Sequence, residues 1–222
     1  MTDERKAVVA AGYDAIASRY LDWSSRVSDP ARVRMLNEFV ARLPPGAQVL
    51  DLGCGAGIPS TRALATRFRV TGVDISASQV AAARGNVPGA TFIQADMAAV
   101  EFSAASFDGI TAFYAMSHVP REGHMDVFRR IAGWLRPNGL FLAALGVHDN
   151  PDWVGEWLEA PMFFSSFDAA ENRRLVAAAG FDLLIDDVLE TIEPDGPVPF
   201  LWVLARRVAE EPAEATGRAI AG

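Results

Sequence analysis

The stretch of this sequence that decides its fold covers residues 49–60 and reads Val49-Leu50-Asp51-Leu52-Gly53-Cys54-Gly55-Ala56-Gly57-Ile58-Pro59-Ser60. An apolar run that enters a glycine-rich turn predicts a buried strand followed directly by a helix. Glycines at alternate positions leave the backbone without side-chain bulk, so a ligand can lie against the main chain and its amides. Asp51 lies at the carboxyl end of the strand, where open α/β sheets hold their ligands. The stretch therefore predicts a ligand site at a strand-to-helix turn.

The spacing of the glycines separates two kinds of cofactor. A dinucleotide fingerprint, Gly-x-Gly-x-x-Gly, places a pyrophosphate on the helix N-terminus. Ile58 stands where the third glycine of that fingerprint would be. The Asp51 carboxylate would also repel a pyrophosphate, whereas it suits a cofactor that carries an ammonium group. A tight turn without a ligand and a nicotinamide-dependent oxidoreductase remain as alternatives.

The pattern Asp51-x-Gly53-x-Gly55-x-Gly57 resembles the first motif of the class I S-adenosylmethionine-dependent methyltransferases that act on small molecules. In that family the loop lies by the amino-acid end of the cofactor. The resemblance runs from Tyr13 to Arg206. It implies a doubly wound α/β fold with a seven-stranded, mostly parallel sheet whose last strand is antiparallel.

Two further acids follow predicted strands. Asp74 ends a strand about 20 residues beyond the loop, where an acid can accept hydrogen bonds from both ribose hydroxyls, a feature that dinucleotide-binding proteins share. The resemblance implies that Asp96 accepts from the adenine amino group while Met97 packs on the ring. A surface turn is the alternative for Asp96 alone. Chance explains poorly the occurrence of Asp51, Asp74 and Asp96 at three successive strand ends.

The N-terminal pattern Tyr13-Asp14-x-x-Ala17-x-x-Tyr20 resembles the segment that caps the cofactor pocket in many small-molecule methyltransferases. A helix that only packs on the sheet is the alternative. The resemblance implies that S-adenosylmethionine is bound by Tyr13, Tyr20, Asp51, Gly53, Cys54, Gly55, Asp74, Ile75, Gln79, Asp96, Met97 and Phe113. For the lone cysteine, Cys54, the sequence favours a small packing residue over a redox or nucleophilic role.

A sulfonium methyl is already electrophilic, so orientation of the acceptor in line with the methyl–sulfur bond can supply about 7–11 kcal/mol of the acceleration. A hydroxyl or ammonium acceptor would also need a general base. His118 is the first candidate, because imidazole titrates in the useful range and the loop 114–120 is expected over the pocket. His148 and Tyr114 are weaker candidates. A structural role for His118 is the alternative.

Between residues 146 and 166 the periodic pattern fails and aromatic side chains crowd together. Because this stretch follows a predicted strand, Leu140–Leu145, at its carboxyl end, it is expected to be a substrate-side insertion. A local hydrophobic cap is the alternative. The predicted pocket residues are Met116, Trp153, Trp157 and Phe163. The aromatic side chains of the insertion favour a hydrophobic or aromatic small-molecule acceptor.

Turn and capping signals predict the surrounding elements. Asp29 is a predicted N-cap with Pro30 at the first helical position. Near the C-terminus we expect a strand at Phe181–Leu189, a turn-rich link at Thr191–Pro199 and a last strand at Phe200–Ala205. The expected organisation is a helical cap at residues 1–45, a methyltransferase domain at 46–207 and a flexible tail at 208–222.

Composition bounds the partners. The 222 residues include 28 acidic and 20 basic side chains, and the formal charge of −8 favours neither nucleic acid nor an anionic membrane as a partner. The histidines are scattered without ligand spacing, so no metal is expected. The N-terminus lacks a signal-peptide pattern and no apolar run reaches about 18 residues, so a cytoplasmic protein is expected. The oligomeric state and the acceptor stay open.

These observations predict an enzyme that moves a methyl group from S-adenosylmethionine to an oxygen, nitrogen or carbon nucleophile of a small molecule. A methyltransferase fold that binds the cofactor but acts through protein partners is the main alternative. Acceptor-dependent release of S-adenosylhomocysteine would separate the two.

Overall fold

A computed structural model of the chain describes residues 4–209. The helices in this range are α1 (Glu4–Ser25), α2 (Pro30–Arg42), α3 (Ser60–Ala65), α4 (Ala77–Asn86), α5 (His124–Trp134) and α6 (Ala169–Ala178). The strands are β1 (Gln48–Leu52), β2 (Arg69–Asp74), β3 (Thr91–Gln94), β4 (Phe107–Phe113), β5 (Leu135–Leu145), β6 (Asn150–Trp157), β7 (Ala160–Ser166), β8 (Phe181–Glu193) and β9 (Gly196–Arg207). Most of the tail expected at 208–222 lies outside the described residues. Over residues 4–209, every helix is too short or too polar to cross a membrane.

Seven strands form one sheet in the order β3-β2-β1-β4-β5-β9-β8. The first five run parallel, and β9 is antiparallel to both β5 and β8. The predicted fold class is therefore confirmed. A parallel sheet needs cover on both faces, and the continuous apolar runs of its central strands reflect that requirement.

Two core clusters cover the two faces of the sheet. Along β5, Phe141, Ala143 and Leu145 join the cluster that α5 and α6 complete. The intervening residues of β5 face the opposite cluster, where α2 and α3 pack around Trp202. This alternation follows from the two-residue period of a strand. It leaves the carboxyl edge of the parallel strands as the place where a site can form.

The turn after β1 requires glycine. Gly53, Gly55 and Gly57 have φ values of +68°, +52° and +76°, in the left-handed region that other residues rarely adopt. A Cβ on Gly53 would also lie 2.3 Å from the Cβ of Ala115. The loop therefore lies tightly against the segment that follows β4.

The predicted start of α2 is confirmed. The Asp29 carboxylate accepts a hydrogen bond from the backbone N–H of Arg32 at 2.9 Å, and Pro30 occupies the first turn. Such a cap typically contributes about 1 kcal/mol. It fixes the point at which the chain leaves α1 and turns back across the sheet.

Residues 146–166 contain a structure that the sequence analysis did not predict. β6 and β7 pair antiparallel into a separate two-stranded sheet. The connecting residues Leu158 and Glu159 have φ values of +49° and +62°. Tight hairpin turns of this kind usually carry Asn-Gly or Asp-Gly, so the usual sequence signal of a hairpin is missing here. Leu158 packs against α1, and Glu159 forms an ion pair with Arg19.

The turn-rich link expected at Thr191–Pro199 is wrong. β8 and β9 continue through it as an antiparallel hairpin that turns only after Glu193. Pro197 and Pro199 lie beyond Leu201, the last β9 residue in register with β5. Their missing N–H groups therefore leave no partner strand unsatisfied on that side. The hairpin tip reaches the link between α1 and α2, where Ser28 forms a β-bridge with Ile192.

Candidate functional site

A cavity with about 670 Å³ of empty volume lies at the carboxyl ends of β1, β2 and β3, beneath α1. From the glycine loop and α1, the predicted residues that line it are Gly53, Gly55, Tyr13 and Tyr20. From the later strand ends they are Asp74, Ile75, Gln79, Asp96, Met97 and Phe113. Most of the residues predicted for the cofactor thus meet in one cavity.

Asp74 is a buried carboxylate held by backbone donors. It accepts hydrogen bonds from the N–H groups of Gly55 and Ser76 at 2.8 and 2.9 Å. Burial raises the pKa of Asp74 although these bonds favour its charged form. A carboxylate held in this way can still accept further hydrogen bonds from a ligand.

Gln79 provides an unsatisfied donor on the same wall. Its side chain is buried at the start of α4, and within residues 4–209 its Nε2 has no hydrogen-bond partner. An unsatisfied buried polar group costs about 1–3 kcal/mol. A ligand with an acceptor oxygen in this cavity would remove that cost.

The N-terminal helix closes over the cavity through polar contacts. Lys6 Nζ lies 2.6 Å from Asp96 Oδ2. The Asp14 carboxylate accepts a hydrogen bond from the Ser76 hydroxyl at 2.5 Å. Because these contacts join α1 to the ends of β2 and β3, the helix covers the opening above the strand ends.

Asp51 and Cys54 line a neighbouring cavity, which shares Gly53 and Gly55 with the first one. Asp51 accepts hydrogen bonds from the hydroxyls of Thr61 and Thr111 at 2.5 and 2.7 Å. Burial raises the pKa of Asp51 from 3.8 to about 6. The Cys54 thiol is buried and burial raises its pKa, as expected for a packing residue.

The neighbouring cavity also contains a cation that the sequence analysis missed. Arg32 of α2 lines it, with Nε 2.8 Å from an oxygen of Asp29 and the guanidinium carbon 5.0 Å from the ring centroid of Tyr114. The charge of Arg32 acts to lower the pKa of Asp51. Asp51 and Arg32 therefore present opposite charges to one space, as a zwitterionic group requires. The position of Arg32 in the first turn of α2 does not by itself predict that its side chain lies near Asp51.

A larger cavity, with about 1580 Å³ of empty volume, lies between α1, the β6–β7 hairpin and the tip of the β8–β9 hairpin. Four side chains line both this second cavity and the first one: Tyr13, Tyr20, Tyr114 and His118. Ligands in the two cavities would therefore meet at these side chains. We call this place the junction.

Of the predicted pocket residues, only Trp157 lines the second cavity. Met116 is buried in the core beneath α5, and Phe163 is buried against α1. Trp153 lies within β6, opposite Phe164, with 43% of its surface exposed. The prediction for these three residues is therefore corrected. Phe164, which follows Phe163 and faces the other way, lines the cavity instead.

His118 has both ring nitrogens engaged. Nδ1 lies 2.9 Å from the carbonyl oxygen of Phe163, and Nε2 lies 2.8 Å from the Tyr13 hydroxyl. Because a carbonyl only accepts, Nδ1 donates and the Tyr13 hydroxyl donates to Nε2. Burial lowers the pKa of His118 to about 4. The ring is therefore neutral with its lone pair occupied, which favours the structural role that the sequence analysis left open for His118.

The weaker base candidates are also poorly placed. The Tyr114 hydroxyl donates to Asp29, and burial raises the pKa of Tyr114. His148 lines the second cavity but not the first. Neither side chain therefore offers a ready proton acceptor at the junction.

Comparison with known proteins agrees with this geometry. A family model described as a methyltransferase domain matches residues 49–139. Methyltransferase GfsG of Streptomyces halstedii is 34% identical over 196 residues, which are 80% of this chain and 70% of that protein. Trans-aconitate 2-methyltransferase of Paracidovorax citrulli is 37% identical over 138 residues, 58% of this chain and 51% of that protein.

The fold has close counterparts among solved structures. The 1,6-didemethyltoxoflavin-N1-methyltransferase of Burkholderia thailandensis superposes with a TM-score of 0.70 at 23% identity, covering 93% of this chain and 90% of that one. The chain belongs to the class I S-adenosylmethionine-dependent methyltransferases. It spans about half the length of several curated relatives that it matches, trans-aconitate 2-methyltransferase among them.

Proposed function

We propose that this chain transfers a methyl group from S-adenosylmethionine to a nucleophilic atom of a small molecule. The observation that carries the proposal is the junction, where a cavity lined by the glycine loop and acids meets a large aromatic one. A transfer between two bound molecules needs two adjoining sites whose reacting ends meet, and this arrangement supplies them.

The first cavity fits the ribose and adenine parts of that cofactor. The Asp74 carboxylate would accept hydrogen bonds from the ribose hydroxyls. The Nε2 of Gln79, which has no partner within residues 4–209, would donate a hydrogen bond to an oxygen of the cofactor. Met97 would pack on the adenine, and Asp96 would accept from its amino group while keeping Lys6 as a partner. The unsatisfied Gln79 donor is the strongest support for a bound group at this place.

The neighbouring cavity fits the amino-acid part. Asp51 would hold the ammonium group and Arg32 the carboxylate, because the two residues offer opposite charges there. When bound, the cofactor supplies an electrophilic methyl group on a sulfonium centre. An ammonium beside Asp51 would favour its ionised form and so lower its raised pKa.

The protein's own contribution is orientation and exclusion of water. α1 covers the first cavity, and His118 holds the Tyr13 hydroxyl at the junction. Orientation of two reactants can supply about 7–11 kcal/mol of a barrier. Burial raises the pKa of Tyr13 and Tyr114 and lowers that of His118, so these side chains resist proton transfer near neutral pH. We infer that the acceptor reacts through an atom that is already unprotonated or that loses its proton to solvent water.

The acceptor is proposed to be a small molecule. Related proteins are named for trans-aconitate, for 27-O-demethylrifamycin SV and, among solved structures, for 1,6-didemethyltoxoflavin. These compounds have no common scaffold, so the relatives support a small-molecule acceptor without indicating which compound it is. The charge of −8 supports the proposal that nucleic acid is not the acceptor. The cytoplasmic location stays a prediction.

Calorimetric titration with S-adenosylmethionine, S-adenosylhomocysteine and NAD in parallel tests this proposal. We expect S-adenosylmethionine and S-adenosylhomocysteine to bind and NAD to give no binding signal. Release of S-adenosylhomocysteine that depends on an added acceptor would then distinguish an enzyme from a cofactor-binding module. Binding of NAD alone, or no binding of any of the three, would overturn the proposal.

A further inference from the structure

The second cavity contains an acid that has no counter-charge. Among the groups that face this cavity, Arg32 pairs with Asp29, and Asp149 pairs with Arg121. The Glu193 side chain, by contrast, has neither an ion pair nor a hydrogen bond within residues 4–209. The charged lining of the cavity therefore carries an uncompensated negative charge at Glu193.

The fold holds Glu193 in place. It is the last residue of β8, at the tip of the hairpin that ends the sheet. The neighbouring Ile192 exchanges two backbone hydrogen bonds with Ser28, each 2.9 Å long, which anchor the tip to the link between α1 and α2. Partial burial, and then the charge of Asp195, raise the pKa of Glu193. A cation beside this carboxylate would favour its charged form and so oppose both effects.

The opposite wall is aromatic. Tyr20 stacks on Trp23 with ring centroids 6.0 Å apart and an interplanar angle of 21°. Trp157 meets Tyr20 at 5.8 Å and Trp23 at 5.5 Å. Glu193 lines the same cavity as Tyr20, Trp23 and Trp157. Aromatic faces attract cations, and tryptophan does so most strongly.

We propose, on the basis of the function proposed above, that the acceptor carries a protonated amine on an apolar or aromatic body and that Glu193 selects it. The ammonium group lies at Glu193, and the apolar body lies against Tyr20, Trp23 and Trp157. An anionic acceptor is disfavoured, because Glu193 and Asp195 repel it. Glu193 is a binding residue in this assignment and takes no part in the transfer.

Three indole compounds test the charge preference: tryptamine, tryptophol and indole-3-acetate carry an ammonium, a hydroxyl and a carboxylate on one body. Each is titrated calorimetrically into the full chain saturated with S-adenosylhomocysteine. We expect tryptamine to bind more tightly than indole-3-acetate by roughly tenfold, with tryptophol between them. The titration needs no turnover, so it does not depend on the identity of the natural acceptor.

The variant Glu193→Gln removes the charge and keeps the shape. We expect it to abolish the preference for tryptamine and to leave the affinity for S-adenosylhomocysteine unchanged, since Glu193 does not line the first cavity. Glu190→Gln is the matched control, because this exposed acid lies on the same strand outside the cavity. The control should keep the preference of the natural chain.

Three outcomes would overturn the proposal: equal or tighter binding of indole-3-acetate, an unchanged preference in Glu193→Gln, or no binding of any of the three compounds. The preceding titration with S-adenosylhomocysteine keeps the two proposals apart. If that ligand fails to bind, the proposed function is wrong. If it binds and the indole series shows no dependence on Glu193, only the amine preference is wrong.

Discussion

The two main cavities of this molecule are built in different ways. The first takes most of its lining from a single span of the sheet, between Gly53 and Val119, with α1 placed over it. The second takes its walls from α1, from the β6–β7 hairpin and from the tip of the β8–β9 hairpin, which are far apart in the chain. The first cavity is thus a product of the parallel sheet, whereas the second is a product of elements added around it.

This difference separates two tasks. Parallel strands bring their carboxyl ends to one edge, so acids that follow successive strands necessarily meet there. Hairpins and terminal helices can change length and side chains without disturbing that edge. We therefore expect substitutions in the first cavity to affect the cofactor and substitutions in the second to affect the acceptor, with the junction affecting both.

The largest effect is expected for Asp74→Ala. Hydrogen bonds to a charged group contribute about 1.5–3 kcal/mol each, so loss of this carboxylate should weaken S-adenosylmethionine binding by about 100-fold or more. Calorimetry measures the cofactor affinity. Asp126→Ala is the control, because it makes the same substitution at an exposed position on α5. Binding of tryptamine in the second cavity should change little. Unchanged cofactor affinity would show that the first cavity is not the cofactor site.

A second test concerns the electrostatics of Asp51. Its pKa in the folded chain, about 6, lies above the ordinary value of 3.8, so the folded state binds the proton more tightly than the unfolded state. Its contribution to stability is therefore lost as pH rises through this range. Between about pH 4.5 and about pH 7 the loss should be about 2 kcal/mol.

Urea unfolding of the cofactor-free chain at the two pH values measures this loss. Asp51→Asn keeps the shape and removes the titration, so its stability should fall by about 2 kcal/mol less than that of the natural chain. Equal pH dependence of the stability of the two proteins would mean that the pKa of Asp51 is not raised in the folded chain.

At the junction, His118 and Tyr13 are expected to act as one unit. Tyr13→Phe and His118→Asn each break the same hydrogen bond, so each should lower kcat/KM by roughly tenfold, and the double variant should be little worse than either. The pH profile should keep its shape. A loss of about 100-fold or more in His118→Asn alone, with disappearance of an acidic limb, would instead identify a general base.

The smallest effect separates two tryptophans of one hairpin. Trp157→Ala removes an aromatic wall of the second cavity and should weaken tryptamine binding by roughly fivefold to tenfold. Trp153→Ala removes an exposed ring outside the cavity and should change the affinity by less than about twofold. Equal effects of the two substitutions would contradict the assignment of the cavity wall.

The sequence predicted the first cavity well because its residues follow strand ends directly. The positions of Asp74, Asp96 and Met97 depend on a few backbone torsions after a strand whose apolar run is easily recognised. The sequence did not show that the Asp51 carboxylate accepts hydrogen bonds from the hydroxyls of Thr61 and Thr111, because these two residues lie on other elements.

The second cavity could not be predicted in the same way. The β6–β7 hairpin turns at Leu158 and Glu159 without glycine or asparagine, so the sequence contains no turn signal between its two strands. The pairing of His118 with Tyr13 joins residues 105 positions apart in the chain. The spacing of residues along the chain does not predict such contacts, because they depend on how α1 packs over the ends of the strands.

The sequence by itself determined the parallel sheet, its glycine loop and the acids at the strand ends, because each is encoded within one strand and the turn that follows it. Only the tertiary structure decided that Arg32 shares a cavity with Asp51, that His118 is occupied by Tyr13 and that Glu193 faces an aromatic wall. These features depend on elements that are remote in the chain and meet only when the helices and hairpins pack around the sheet.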